Sequence, residues 1–206
     1  MKCNLYVDTP SAKNLSIIVN IETVQVNSLL NYEDYNKFSL LCKNGCPNYE
    51  KKWSCPPYSP KFNDFSKEFD FITICALTME LNQLSYIRND YLKVKAANAI
   101  LKSKADKEFG SFATERRKYV STGSCRLCKP CKYKKGEPCA RPSKMAYSFE
   151  ALGINVSKIT ESLFDFKLLW YEKGKCPQYT AVIVGLLTNE KPDLNEILKA
   201  LQKSGV

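Results

Sequence analysis

Leu15, Ile17, Val19 and Ile21 recur at every second position, the period of a strand with one face buried. The phase slips near Glu22-Thr23, so that Val24 and Val26 continue on the other side, which predicts a bulge or turn there. Phe71 to Met79 is a continuous apolar run rich in β-formers, as expected of a central strand covered on both faces. From Ser85 to Phe109 the period changes. Ile87, Tyr91, Val94, Leu101, Ala105 and Phe109 fall at helical spacings, with Lys93, Lys95, Lys102, Lys104 and Lys107 largely between them. This predicts a long amphipathic helix stopped at Gly110, its lysines on the wet side.

The weaker patterns fill in the rest. Short helices are expected over Phe62–Phe69, Ser143–Leu152 (ending at Gly153) and Ser157–Leu163, with a terminal helix over Pro192–Gln202. Strands are expected over Arg117–Thr122, Phe166–Tyr171 and Tyr179–Leu187. Two segments fit neither period. One, about residues 41–60, is dense in proline and aromatic side chains, hence irregular backbone and not helix. The other covers about residues 123–142. The predicted fold is α/β, with α+β as the alternative. It is a single domain over residues 1–206, with a mixed sheet of about five strands, flanking helices and two cysteine-rich metal-binding loops. Both loops are expected to follow strands, which would set them at one end of the sheet.

Composition matters mainly through cysteine and histidine. The chain has 206 residues, 10 cysteines and no histidine. The N-terminus shows no apolar secretory segment, and the longest apolar stretch is too short to span a bilayer. A cytoplasmic setting without membrane association is therefore expected, where disulfides are disfavoured and clustered thiols read as metal ligands. Without histidine a soft-metal site must be mostly thiolate. A Ser-His-Asp mechanism is excluded, and proton transfer falls to Glu, Asp, Lys, Tyr or Cys. Neither phosphate-binding glycine motif is present, so P-loop and standard Rossmann chemistry are unsupported.

The thiols form two groups. Cys125-x2-Cys128-x2-Cys131-x7-Cys139 supplies four ligands, and its first part matches the run that wraps a ferredoxin cubane. The last gap is longer than in ferredoxins and contains Gly136, which permits a turn. A structural zinc also accepts four thiolates, although zinc sites usually come as two separated pairs. Cys42-x3-Cys46-x8-Cys55, followed by Pro56-Pro57, supplies three ligands. A cubane held there either keeps one iron open to substrate or takes a distant fourth ligand. Cys176-Pro177 is the candidate, with aspartate and tyrosine as alternatives. Cys75 reads as a buried core thiol, and Cys3 as lying near a mobile terminus. Trp53 and Tyr49 would shield the first cluster or merely pack. Ser148 and Glu150 are expected on a helix as capping, supporting or substrate-facing groups.

The formal charge is +10. Two cubanes would lower it to roughly +7, since four thiolates leave a cluster near −2 and three near −1. Arg126, Lys129, Lys132, Lys134, Lys135, Arg141 and Lys144 crowd the second motif. They would compensate cluster charge, or attract an acidic redox partner protein or a small anionic substrate. Scattered aromatic residues and the lack of an RNA-recognition signature disfavour nucleic acid.

Cys42-x3-Cys46-Pro-Asn-Tyr49-x3-Trp53-Ser54-Cys55-Pro56-Pro57 resembles the first motif of a cysteine-rich family known as "predicted metal-binding protein", common in anaerobic bacteria and methanogens. Gly123-Ser124-Cys125-Arg126-Leu127-Cys128-x2-Cys131, Cys139-x2-Pro142 and Ser148-x-Glu150-Ala151-x-Gly153-Ile154-x-Val156 resemble its second. Asn155 departs from the aspartate expected in many members, which argues against acid–base work there. The resemblance implies metal binding, iron–sulfur in type, and an anaerobic host. It implies no reaction.

The expected function is that of an iron–sulfur protein. One [4Fe-4S] cluster would sit on Cys125, Cys128, Cys131 and Cys139, and a second on Cys42, Cys46 and Cys55. The role would be electron transfer or cluster-based redox or sulfur chemistry. The alternative is a zinc-binding structural or nucleic-acid-interaction module. The sequence does not decide whether the protein is an enzyme.

Overall fold

The computed structural model describes residues 1–203. Its frame is a six-stranded sheet in the order β1-β2-β3-β6-β4-β5. The strands are β1 (Lys2–Thr9), β2 (Ala12–Gln25), β3 (Phe71–Glu80), β4 (Lys118–Ser121), β5 (Tyr147–Ser148) and β6 (Tyr179–Thr188). The sheet is mixed: β4 and β5 run parallel, and every other pairing is antiparallel. The helices are α1 (Val26–Leu30), α2 (Tyr35–Gly45), α3 (Phe62–Ser66), α4 (Asp90–Ser111), α5 (Val156–Phe164) and α6 (Leu194–Lys203). The expected α/β class stands, with one more strand than anticipated.

Both faces of the sheet are covered. Cys75, Leu77 and Met79 of β3 point toward α4 and α6, where they meet Val94, Ala97, Leu101, Phe109, Ile197 and Leu201. Ile72, Ile74 and Ala76 point the other way, into a second core with Leu29, Phe62, Phe149, Leu152 and Ile159. Alternate residues thus serve different cores, which is why β3 reads as an unbroken apolar run. β2 has no bulge at Glu22-Thr23: its register with β3 is continuous from Ile18 to Gln25. The phase slip has another cause. Ile17, Val19 and Ile21 belong to the first core and Val24 packs on the second, so the strand changes its buried side partway along. β1 escaped notice because, as an edge strand, it buries only Leu5.

Other expectations are corrected too. The helix over residues 143–152 is absent. Pairing with β4 draws Tyr147 and Ser148 into β5, and a tight turn follows, in which Leu152 N–H bonds to Ser148 and Phe149 carbonyls. No strand covers residues 166–171. α5 ends at Asp165 in the left-handed region, and Phe166 and Leu168 pack as irregular chain on the second core. Lys102 and Lys104 are not on a wet face of α4: both are buried, while the helix itself runs one residue past Gly110.

The cysteine-rich segments hang from this frame differently. The second is the crossover joining the parallel pair β4 and β5, a connection made by irregular chain where a helix is usual. The first does not follow a strand. It leaves α2, whose last turn carries Cys42, and enters α3.

Candidate metal centre

α2 is fixed at its start. The Asp34 carboxylate caps the helix by accepting from Lys37 N–H at 3.1 Å, and Asp34 N–H donates to Gly153 O at 2.7 Å. At its end Cys46 N–H donates to Cys42 O at 2.9 Å, so Cys42 and Cys46 stand one turn apart. The chain then descends through successive turns. Tyr49 N–H bonds to Cys46 O, Cys55 N–H to Lys52 O, and Glu50 N–H crosses the loop to Pro56 O. Tyr35 Oη donates to Ser59 O at 2.7 Å, and Ser59 Oγ to Ala151 O at 2.6 Å. These bonds fasten the first loop to the buried 148–154 turn.

Cys42, Cys46 and Cys55 are close enough to influence one another's ionisation. Burial first, then Cys46, Glu150 and Cys55, push the Cys42 thiol up to about 11. Burial also raises Cys55, with Cys46 and Cys125 adding to the shift while the Ser54 hydroxyl and Lys52 oppose it. Cys42 and Cys55 therefore resist ionisation on their own and give up their protons readily only to a cation that replaces the lost solvation.

The second motif forms a pocket of its own. Cys125, Cys128, Cys131 and Cys139 all line one cavity of about 20 Å³, walled by Trp53, Ser54, Leu127, Arg141 and Met145. The chain turns back on itself after Cys131 through a 3-10 turn at Lys132–Lys135, closed by Gly136 at φ 68°. Only glycine adopts that backbone without strain, so the residue read as permitting a turn does so. Lys132 pairs with Glu137 across the same turn at 2.5 Å.

The two loops interlock. Lys52 Nζ donates to Ser124 Oγ at 3.0 Å and to Cys125 O at 2.9 Å, and Cys125 N–H donates to Ser54 Oγ at 3.1 Å. The Trp53 indole N–H donates to Glu137 O at 2.9 Å. Its ring meets Tyr58 and Tyr133 edge-on, with centroids 5.2 and 5.0 Å away, and the two tyrosine hydroxyls are 3.0 Å apart. Edge-to-face pairs of this kind contribute about 0.5–1.5 kcal/mol each beyond burial. Trp53 therefore sits in the first motif but walls the second motif's cavity, a role that sequence order concealed. Ser54 and Lys52 were also missed, although both lie inside the motif.

The remaining cysteines stand apart. Cys176 is exposed and interacts with Asp90 and Lys93 at the start of α4, not with the first motif. Cys75 is fully buried in β3, as expected. Cys3 is not at a loose end: it lies in β1, half-buried. None of the ten cysteines forms a disulfide. Ser148 accepts from Ala151 N–H at 3.2 Å and shapes the turn, Glu150 faces Cys42, and Asn155 caps α5 by accepting from Lys158 N–H at 3.2 Å. A cap needs a short polar acceptor, which asparagine supplies as well as aspartate.

Among the described residues no group of three or more Cys, Asp or Glu side chains is gathered tightly enough to hold a single ion. What the structure offers is a four-thiol pocket beside a three-thiol group. By donor type, that set suits thiolate ligation of a soft metal or cluster. Among the described residues no helix is long and apolar enough to cross a membrane. The family described as predicted metal-binding protein (DUF2284) matches residues 30–187. That span takes in both cysteine loops and the turn that anchors them. No curated protein and no solved structure matches the chain.

Proposed function

This chain belongs to the DUF2284 family of predicted metal-binding proteins, and from that premise we propose that it is an iron–sulfur protein with two centres. Cys125, Cys128, Cys131 and Cys139 hold a [4Fe-4S] cluster, and Cys42, Cys46 and Cys55 hold a second. When bound, such clusters supply one-electron redox capacity. The observation that carries the reading is the convergence of all four thiols of the second motif on one cavity with largely apolar walls.

The chain's own groups have defined work in this scheme. Trp53, Leu127 and Met145 keep water from the four-thiol pocket, which tunes potential through the local dielectric. Arg141 lines the same pocket, and Lys132 stands where Cys128 acts on its charge. Both would offset a net negative centre. Lys52 and Ser54 bond directly to the Cys125 backbone from the residues just before Cys55. The adjacency of Cys55 and Cys125 supports an electron-transfer role between two neighbouring centres.

The test is iron, acid-labile sulfide and zinc content of protein purified without oxygen. About eight iron and eight sulfide per chain are expected for two cubanes. Stoichiometric zinc without sulfide would overturn the reading in favour of a structural zinc module. Magnetic coupling between two reduced centres is expected as well, and its absence at every reduction level would remove the relay.

A further inference from the structure

A second cavity opens beside the cysteines, bounded by α4, β4, the start of the second cysteine loop and residues 142–147. Its volume is about 1010 Å³, at the upper end of the roughly 300–1,000 Å³ of small-molecule sites. We propose that this cleft binds a cofactor-sized organic anion, with phosphate or carboxylate groups on its cationic wall and an apolar body against Phe65, Leu127 and Tyr147. The groups that would recognise the anion are not proposed metal ligands, although the cleft borders the four-thiol pocket: Cys125, Leu127 and Met145 line both.

The charge balance of the cleft supports it. Lys102, Arg117, Lys118, Arg126 and Lys144 line it, against only Asp106 and Glu115. Asp106 is already committed. It accepts from Lys102 Nζ at 2.9 Å and from the Tyr119 and Ser121 hydroxyls, each at 2.8 Å. Lys102 is saturated too, donating to Ser121 Oγ at 2.9 Å and to Thr122 O. This quartet makes a rigid, neutral floor. Among the described residues Arg117, Lys118, Arg126 and Lys144 have no carboxylate partner within ion-pair distance. Arg117, Arg126 and Lys144 are exposed.

Compensation of cluster charge accounts for Arg126, which follows Cys125 directly. It does not account for Lys118 and Arg117. Lys118 opens β4 and Arg117 immediately precedes it, about 10 Å of strand before the cysteine loop begins. Lys118 is held over the Phe65 and Phe69 rings, 5.3 and 5.2 Å from their centroids, which fixes a cation beside an aromatic wall. Unpaired cations converging on a concave, partly aromatic site raise the local concentration of anions and orient them.

The probe is trinitrophenyl-ATP, a fluorescent polyanion with an aromatic body, titrated into the full-length protein with its metal content intact. One saturable site per chain is expected. Displacement by pyrophosphate would mark phosphate as the recognised group, and displacement by citrate would mark carboxylate. Arg117→Glu with Lys144→Glu should weaken binding about tenfold or more. Lys158→Glu with Lys173→Glu makes the same change of net charge on exposed residues outside the cleft, and should alter binding less than about twofold. Unchanged melting temperature and metal content would show that the variants are folded. If the charge reversals fail to fold, the Arg117→Gln with Lys144→Gln pair carries the same comparison. Binding that is not saturable below about 1 mM, that neither anion displaces, or that both charge-matched pairs weaken equally would overturn the proposal.

Discussion

Gly153→Ala should damage the first cysteine group from a distance. Gly153 has φ +89°, and an added Cβ would stand 2.6 Å from Tyr35 Cα, 2.9 Å from Tyr35 N and 3.0 Å from Tyr35 Cβ. Carbon atoms pack best at about 3.5–4.0 Å, so one side must retreat by roughly 1 Å. Neither is free to do so. Asp34 N–H is bonded to Gly153 O at 2.7 Å, and Tyr35 Oη is held by Ser59 O. The backbone conformation costs a non-glycine residue about 1–3 kcal/mol, and forced overpacking about 1–3 kcal/mol more. A total near 4 kcal/mol follows, against an ordinary stability of about 5–15 kcal/mol. For a chain of this length that lowers the melting temperature by roughly 10 °C. Tyr35 opens α2, so the displacement also moves Cys42 relative to Cys55 and should speed alkylation of Cys42. Thermal unfolding and timed alkylation of the reduced, metal-free chain test both effects. Gly110→Ala is the contrast: its Cβ meets only Tyr119 at 3.9 Å within α4, so it should gain about 0.5–1 kcal/mol. If Gly153→Ala melts within a degree or two of the unmodified chain, the close-approach argument is wrong.

Other outcomes follow from the same geometry. Lys102→Met leaves Asp106 bonded only to hydroxyls. Because Asp106 is 34% exposed, the loss should sit near the low end of a broken buried pair, about 2–3 kcal/mol by urea denaturation. Lys102→Met with Asp106→Leu should recover part of it. Cys128→Ser should abolish the four-cysteine centre and spare the three-cysteine one; loss of iron from both would mean that the interlocked loops assemble as one unit. In the metal-free chain burial first, then Cys46, Glu150 and Cys55, hold Cys42 at about 11 against an ordinary 9.0. The unfolded chain therefore gives up that proton first. The stability contributed by Cys42 is complete below pH 9.0 and is lost as pH rises through about 11. Glu150→Gln removes one repulsion and should move the upper edge of that window down; an unchanged or higher edge would show that Glu150 does not act on the thiol.

Local chemistry was legible in the chain alone. The thiol spacings marked both motifs, and Gly136 was read as a turn from its place in the last gap. The period of two over Leu15–Ile21 and the two-faced run Phe71–Met79 gave the strands that carry the core, because side-chain alternation is a property of a single strand. Long-range pairing was not legible. Tyr147 and Ser148 have no strand signature of their own and form β5 only because β4 lies beside them. Lys102 has the look of a wet-face lysine, and only the approach of Ser121 and Thr122 makes it a buried clamp. Trp53 belongs by sequence to one cysteine group and by contact to the other. The sequence by itself determined that the candidate ligands are clustered thiols and which strands carry the core, since spacing and period act over a few residues. Only the tertiary structure decided that the two thiol groups share a wall, because the residues that join them are 70 or more apart along the chain, and that a cationic cleft opens next to them, because its walls come from separate elements, α4, β4 and residues 142–147.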